Sequence, residues 1–171
     1  MDYGEMEKWY DGYLLGGLSI YNPKSVVDAL MWKKFKSYWT GTETYEALKA
    51  YIDMNFDGLK DAVIRMLAGE SCKINPKTFK NDMTTFQGKD DVLTLLVHLG
   101  YLAYDIERRE AFIPNQEVEY EFASAIQGAG WDEVIRAIEY SEELLSAVLG
   151  KDGEAVADGL DKAHREAASV L

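Results

Sequence analysis

The sequence contains very little cysteine and histidine. Cys72 is the only cysteine, and His98 and His164 are the only histidines, among 171 residues. One cysteine excludes an internal disulfide and any zinc site built from several cysteines. A lone cysteine is usually a small buried apolar residue, so we expect Cys72 to be buried and unreactive. His98 lies in the apolar stretch LLVHLGYL, where we expect a packed histidine and not a catalytic one.

Catalytic and ligand-binding motifs are missing as well. The sequence contains no GxxxxGK[ST] or GxGxxG phosphate-binding loop, no HExxH and no GxSxG. The turn KDGEAVADG lacks the alternating ligands of a calcium loop. We therefore predict no catalytic, cofactor-binding or metal-binding residue in this chain, and no enzymatic activity of its own.

Long apolar runs are also missing, so we expect no membrane segment. The N-terminus carries Asp2, Glu5 and Glu7, where a signal peptide would need a basic flank and an apolar stretch. These features predict a cytoplasmic protein.

Charge of one sign dominates, with a formal net charge of -12. Eight basic residues stand against eleven acidic ones in 1–71, six against six in 72–115, and four against thirteen in 116–171. Acidic surfaces repel phosphate backbones, so any contact with nucleic acid is expected in the neutral middle of the chain.

Helical patterns predominate in what is present. Asn22 and Pro23 form a helix start, and this first helix is expected to end near Phe35. A second helix follows, and a third is predicted between a cap at Asp57 and a stop at Gly69. Each helix has one apolar face, which we expect to be buried. The apolar positions are Val26, Val27, Leu30 and Met31 in the first helix, Tyr45, Leu48, Tyr51 and Ile52 in the second, and Leu59, Val63, Met66 and Leu67 in the third.

The middle of the chain combines short strands with helices. SCKINPKTF predicts an edge strand closed by Pro76, and a helix follows that stops at Gly100. YLAYDI and EAFIP predict two strands joined by a turn at 107–109. The order helix, strand, helix, hairpin is typical of a winged helix. Asn115 is then expected to cap a helix whose apolar side contains Val118, Phe122 and Ile126.

The C-terminal part predicts two helices across a tight turn. The first runs from Trp131 to a stop at Gly150, and the second is rich in alanine, with Gly159 in its middle. We therefore predict a mainly α fold with a small β-hairpin, of the α+β class. It comprises a helical region with a winged-helix-like unit, followed by an antiparallel helical hairpin.

Several stretches, in this order, carry a resemblance over nearly the whole chain: WYDGYLLGGLSIYNPKSVVDAL, KKFKSYW, LLVHLGYLAYD followed by FIPNQEVEYEF, and SEELLSAVLGKDGEAVADGLDKAH. Together they resemble a bacterial family that joins an AAA-ATPase-like module to a C-terminal PD-(D/E)XK nuclease-like domain. The resemblance implies that 1–55 closes the ATPase-like module and links it onward. It makes 56–127 the winged-helix-like unit, and 128–171 the helical hairpin that leads into the nuclease-like domain. ATP and a divalent metal are then expected only in the modules outside this chain.

The resemblance implies a seam against the ATPase-like module, formed by Trp9, Tyr10, Gly12, Tyr13 and Tyr21. The first hypothesis is thus a non-catalytic connector that couples the two modules, which are its partners. Exposed faces could also pair two copies into a homodimer.

The alternative hypothesis is nucleic-acid binding by the winged-helix-like unit, which would target the nuclease-like domain. Its phosphate contacts would be Lys77, Lys80, Lys89, Arg108 and Arg109. Acidic neighbours balance these charges, at Asp82, Asp90, Asp91, Glu107 and Glu110. A third hypothesis, an autonomous enzyme, is disfavoured because no cluster of nucleophile, base or metal ligands stands out.

Overall fold

The computed structural model describes residues 1–39, 48–54, 56–80, 85–128 and 131–169. They belong to two compact units, Met1–Ala129 and Gly130–Leu171. The described residues form a mainly helical fold with two small antiparallel sheets, so the predicted α+β class is confirmed. The predicted segments 1–55 and 56–127 both lie in the first unit, and their assignment to separate modules stays a prediction.

The first unit begins with a helix and a β-hairpin, and further helices and a three-stranded sheet follow. In chain order the elements are α1 (Tyr3–Tyr10), β1 (Tyr13–Leu15), β2 (Leu18–Ile20), α2 (Pro23–Trp32), α3 (Leu59–Leu67), β3 (Cys72–Lys73), α4 (Lys89–His98), β4 (Ala103–Asp105), β5 (Glu110–Phe112) and α5 (Gln116–Gly128). Residues 48–52 are also helical, and Pro76–Thr78 forms a short 3-10 helix.

The glycine-rich and aromatic N-terminal stretch forms α1 and the β1–β2 hairpin. The carboxylate of Asp2 caps α1 by accepting from the Glu5 amide at 3.0 Å. Gly16 and Gly17 connect the strands with φ values of 58° and 81°, in the left-handed region that two-residue hairpin turns require. Turn geometry therefore accounts for this glycine pair.

Helix α2 starts as predicted. The side chain of Asn22 accepts from the amides of Lys24 and Ser25, and Pro23 occupies the first turn. The helix ends at Trp32, earlier than the predicted Phe35, because the next residue adopts a left-handed φ of 52°.

The predicted burial of the α2 apolar stripe is wrong for three of its four residues. The exception, Val26, is half-buried against the core that contains Tyr10 and Ala29. The residues that α2 buries are Ser25 and Ala29. Val27, Leu30 and Met31 are exposed instead. The amphipathic pattern is present, but within the described residues the core covers the face of α2 that carries Ser25 and Ala29.

The next helices follow their predicted apolar faces. Leu48 and Ile52 are buried, whereas the predicted Tyr45 lies outside the described residues. Helix α3 buries Leu59, Val63 and Met66.

The predicted start of α3 is wrong and its predicted end is confirmed. Gly58, with a φ of 76°, precedes the helix and no side chain caps it, so Asp57 is not the cap. Gly69 follows the helix with a φ of 82°, which relieves the last turn as the sequence predicts.

The sheet and helices from α3 to α5 keep the predicted order of helix, strand, helix and hairpin. The three strands lie in the order β3-β5-β4 and are antiparallel, so β3 is the predicted edge strand. Gly100 follows α4 with a φ of 82°. Asn115 caps α5 by accepting from the Val118 amide at 3.1 Å. Val118, Phe122 and Ile126 are buried, as predicted.

The second unit is the predicted helical hairpin of α6 (Asp132–Leu149) and α7 (Gly153–Ser169). Gly150 closes α6, and the chain turns directly into α7. A β-carbon on Gly159 would lie 3.1 Å from Cδ1 of Leu144, so this glycine lets the two helices pack closely. The glycine that weakens α7 on sequence grounds is therefore a packing site.

Candidate interaction surfaces

Tyr10, one of the predicted interface residues, lies in a small core between α1 and α2. It is fully buried beside Met6 and Ala29. Its hydroxyl donates to the Lys36 carbonyl at 3.0 Å and accepts from the Lys36 amide at 3.2 Å. Burial raises the pKa of this hydroxyl. Tyr10 therefore holds the segment after α2 in place and has no surface left for another module.

Gly12 and Tyr13 fasten the N-terminal segment to the rest of the first unit. Gly12 has a φ of 109°, and a β-carbon there would lie 2.1 Å from the Pro114 carbonyl oxygen, so glycine is required. The Tyr13 hydroxyl donates to the Gly100 carbonyl at 3.0 Å. Burial raises the pKa of the Tyr13 hydroxyl well above its ordinary value. Both predicted residues thus have a role within this chain.

Trp9 and Tyr21 are half-buried against the same core and keep part of their surface. The Tyr21 hydroxyl donates to the Tyr3 hydroxyl at 3.4 Å. Their contact with an ATPase-like module stays a prediction. The predicted seam is therefore divided, because Tyr10 packs inward whereas Trp9 and Tyr21 reach the surface.

The largest apolar side chains of α2 point away from the core. They form what we call the α2 face: Val27, Leu30, Met31 and Trp32, which are 54%, 54%, 70% and 70% exposed. Positions 27, 30 and 31 have the i, i+3, i+4 spacing of one helix surface. Large apolar groups clustered in water mark interaction sites on proteins.

Lysines flank the α2 face along the chain. Residues 23–36 contain four lysines and one aspartate, although the chain carries a net charge of -12. Lys24 pairs with Asp28 at 2.8 Å. We call the four exposed lysines of this segment the rim: Lys24, Lys33, Lys34 and Lys36. Nζ of Lys36 lies 5.0 Å from the centroid of the Tyr38 ring. The α2 face is thus an apolar surface with a locally basic border.

The β1–β2 hairpin carries a second apolar surface. Leu15 and Leu18 lie directly opposite each other in the register of the two strands, and both are exposed. Opposed residues of paired strands point to the same side of the sheet, so the two leucines form one patch.

Two of the predicted nucleic-acid contacts lie at the turn between β4 and β5. The Arg108 side chain is exposed, with Nε 3.8 Å from the Asp105 carboxylate. Arg109 is exposed with a left-handed φ of 58°, and its carbonyl accepts from the Ile74 amide at 3.1 Å. The hairpin turn therefore lies beside the chain that leaves β3.

The predicted lysine contacts are divided. Lys77 and Lys80 are exposed. Lys89 is half-buried, with Nζ 3.9 Å from Sγ of Cys72. Cys72 is itself buried, as predicted. Lys89 therefore packs against the sheet, and four of the five predicted contacts face solvent.

The first turn of α4 is acidic, and its carboxylates are engaged. Asp90 accepts from the Asn75 amide at 3.0 Å. Asp91 accepts from the Thr78 hydroxyl at 2.7 Å and from the Gln87 amide at 2.8 Å. These bonds hold the 3-10 segment onto α4 and place negative charge where a recognition helix would meet phosphates.

Sequence reasoning missed a buried carboxylate on α5. Glu117 is fully buried, and its Oε1 accepts from the Ser25 hydroxyl at 2.9 Å and the Tyr38 amide at 2.7 Å. Its Oε2 is buried without a hydrogen-bond partner. Burial raises the pKa of Glu117, although its two hydrogen-bond donors act in the opposite direction. This carboxyl group connects α5 to α2 and to the segment that follows α2.

A second carboxylate lies one helical turn further along α5. Glu121 is buried and accepts from the Ser37 hydroxyl at 2.5 Å. Glu117 and Glu121 border the apolar positions Val118 and Phe122, and that position next to the stripe is the only sequence signal of their burial.

A cleft of about 430 Å³ lies between the end of α3 and the β4–β5 hairpin. Its carboxylates are already engaged by this chain. Glu70 pairs with Arg65 at 2.8 Å, and Glu110 accepts from the Ser71 hydroxyl at 2.7 Å. The cleft therefore offers few unengaged polar groups to a ligand.

His98 is exposed, which corrects the expectation of a packed histidine. Its ring stacks 5.6 Å from that of Phe79. Within the described ranges, no three His, Cys, Asp or Glu side chains are grouped so that they could hold a metal ion. No described helix is long and apolar enough to cross a membrane.

Comparison of the chain with protein-family models, with curated proteins and with solved structures found no match.

Proposed function

We propose that this chain is a non-catalytic interaction region that couples an ATPase-like module to a nuclease-like module in a cytoplasmic protein. The observation that carries the proposal is the α2 face, whose four apolar side chains lie largely in water while the residues that α2 buries fully are Ser25 and Ala29. A helix of this kind gains stability when a second surface covers it. The ATPase-like module is the partner that the sequence resemblance suggests, and a homodimer is the competing partner.

Two buried side chains on the core side of α2, Glu117 and Tyr10, also support the proposal. Glu117 and Tyr10 bind the helix and its following segment to the core, so the α2 face is held in a fixed position. A surface held in this way loses little conformational entropy on binding. It is suited to transmit a movement of one module to the rest of the chain.

Hydroxyl-radical footprinting tests this proposal. Oxidation of Met31 and Trp32 is measured in the 171-residue chain and in the protein expressed from its complete gene, with and without an ATP analogue. We expect both residues to be protected in the longer protein, and the protection to change with nucleotide. Tyr120, exposed on α5, is the control for general oxidation. Equal oxidation of Met31 and Trp32 in both proteins would contradict the proposal.

The second candidate is nucleic-acid binding by the winged-helix-like unit. It is favoured by one observation: Arg108 and Arg109 are exposed together at the tip of the β4–β5 hairpin, the position of a wing. Exposed arginines on a protruding turn can contact phosphates of a duplex.

Fluorescence anisotropy of labelled single-stranded and duplex DNA at about 50 mM salt tests this candidate. Binding by the chain that is lost when Arg108 and Arg109 are both changed to Glu would support it. The matched control changes Lys24 and Lys60 to Glu, which alters the net charge equally. No binding at this salt concentration, or equal loss in both variants, would remove the candidate.

A further inference from the structure

The α2 face combines two kinds of chemistry. Its centre is aliphatic and aromatic, and its border consists of exposed lysines. The aliphatic groups of Val27, Leu30 and Met31 follow the spacing at which one helix packs against another. The border adds three positive charges in excess over residues 23–36.

We infer that the α2 face binds an amphipathic helix whose apolar stripe is bordered by Asp and Glu. The inference rests on the proposed function and adds the chemistry of the partner. An apolar stripe at helical spacing covers the aliphatic centre, and carboxylates on either side meet the lysine border.

The apolar centre favours a protein helix over nucleic acid. Three of its four side chains are aliphatic or a thioether, and bases and phosphates give such groups no extended apolar surface. Only Trp32 offers a ring on which a base could stack.

The net charge of the chain does not prevent an acidic partner from binding. Charges more than about 8 Å apart in water are largely screened at physiological ionic strength. Acidic residues beyond that distance from the α2 face therefore contribute weakly, and the lysines that flank the face along the chain supply the local attraction.

The probe is a fluorescein-labelled designed helix of about five turns, with Leu at i, i+3, i+4 and i+7 positions and Glu on both flanks. A matched peptide carries Lys in place of every Glu. Binding of both peptides to the full chain is measured by anisotropy at about 150 mM salt. We expect the acidic peptide to bind and the basic peptide to bind at least tenfold more weakly.

Two variants assign the binding to the α2 face. Leu30→Glu with Met31→Glu removes the apolar centre, and Lys34→Glu with Lys36→Glu reverses part of the border. We expect each variant to weaken the acidic peptide at least tenfold. Lys77→Glu with Lys80→Glu, on exposed lysines elsewhere, is the matched control and should leave the affinity unchanged. Circular dichroism and thermal unfolding check that the variants remain folded.

Several outcomes would overturn the inference. No binding of the acidic peptide, or equal binding by the Lys34 and Lys36 variant, would exclude an acidic helix. If the chain binds single-stranded DNA and the Lys34 and Lys36 variant loses this binding, the surface would be assigned to nucleic acid. Self-association in sedimentation that is lost in the Leu30 and Met31 variant would assign it to a second copy. If footprinting still shows the α2 face covered in the longer protein, the proposed function survives and only the partner chemistry fails.

Discussion

Helices α2 and α4 are both ten residues long, and they place their apolar side chains in opposite ways. Helix α4 buries Val92, Leu93, Leu95 and Leu96, whereas α2 buries Ser25 and Ala29. Burial of apolar side chains stabilises α4 directly. Helix α2 packs Ala29 and the half-buried Val26 against the core, and its larger side chains remain in water.

The N-terminal caps of α2 and α4 also differ. The side chain of Asn22 caps α2, and Ser25 on its first turn donates to Glu117. Helix α4 begins after Gly88 with no side-chain cap. A helix that is well buried tolerates a weak cap, because packing supplies most helical stability in proteins.

Core truncation is expected to give the largest contrast between the two helices. Leu96→Ala in α4 removes a fully buried side chain and should lower the free energy of unfolding by about 2–5 kcal/mol. Leu30→Ala in α2 removes a side chain that is largely in water and should change it by less than about 0.5 kcal/mol. Urea denaturation of both variants measures the difference. Equal losses would show that the α2 face is buried in the free chain.

The buried carboxyl group that holds α2 makes stability depend on pH. Burial raises the pKa of Glu117 above its ordinary value of 4.5. The folded chain therefore keeps a proton at pH values where the unfolded chain has released it. The stabilisation that protonated Glu117 contributes to the free energy of unfolding is fully present when the pH is below the ordinary pKa. It is lost as the pH rises through the raised pKa of the folded chain.

Glu117→Gln measures this contribution, because glutamine keeps an oxygen for Ser25 and Tyr38 and does not ionise. Unfolding free energies are compared from pH 4 to pH 8. We expect the unmodified chain to lose stability relative to the variant as the pH rises. Glu107→Gln is the control, because Glu107 is exposed at the hairpin turn. Parallel curves for the chain and the Glu117 variant would show that this carboxyl group is not the cause.

Changes to the helix caps should give the smallest effects. Asn22→Ala removes the side-chain bonds to two amides and should lower the free energy of unfolding by about 1 kcal/mol. Gly88 is an extended residue with open space around it, so Gly88→Ser adds a cap to α4. This change should raise the free energy of unfolding by roughly a few tenths of a kcal/mol. Chemical denaturation compares the two. A larger loss of unfolding free energy for Gly88→Ser than for Asn22→Ala would show that α4 depends more on its first turn than α2 does.

Local signals predicted much of the fold. The caps at Asn22 and Asn115 and the stops at Gly69 and Gly100 are confirmed, because each depends on the conformation of a few neighbouring residues. The predicted cap at Asp57 is wrong, since Gly58 takes the left-handed conformation before α3 and no side chain reaches the first turn. A carboxylate in the right place predicts a cap only when the backbone brings it to the amides.

Surface residues were harder to predict than helix boundaries. The exposed arginines of the β4–β5 turn follow from their place in a turn. Tyr10 does not, since its burial depends on the approach of α2 and the following segment. Lys89 also depends on a distant contact, with Cys72 on β3. Residues whose environment is formed by other elements carry no local signal of it.

From Pro23 onward the sequence by itself determined most element types and their order, because capping, glycine stops and apolar periodicity act within one helix or hairpin. It did not predict α1 or the β1–β2 hairpin. The tertiary structure decided which face of each helix is covered. Periodicity shows that α2 has an apolar side, but packing of Ser25 and Ala29 inward placed that side in water. The same packing buried Glu117 next to Ser25, since only the fold brings residues so far apart in the chain into hydrogen-bond contact.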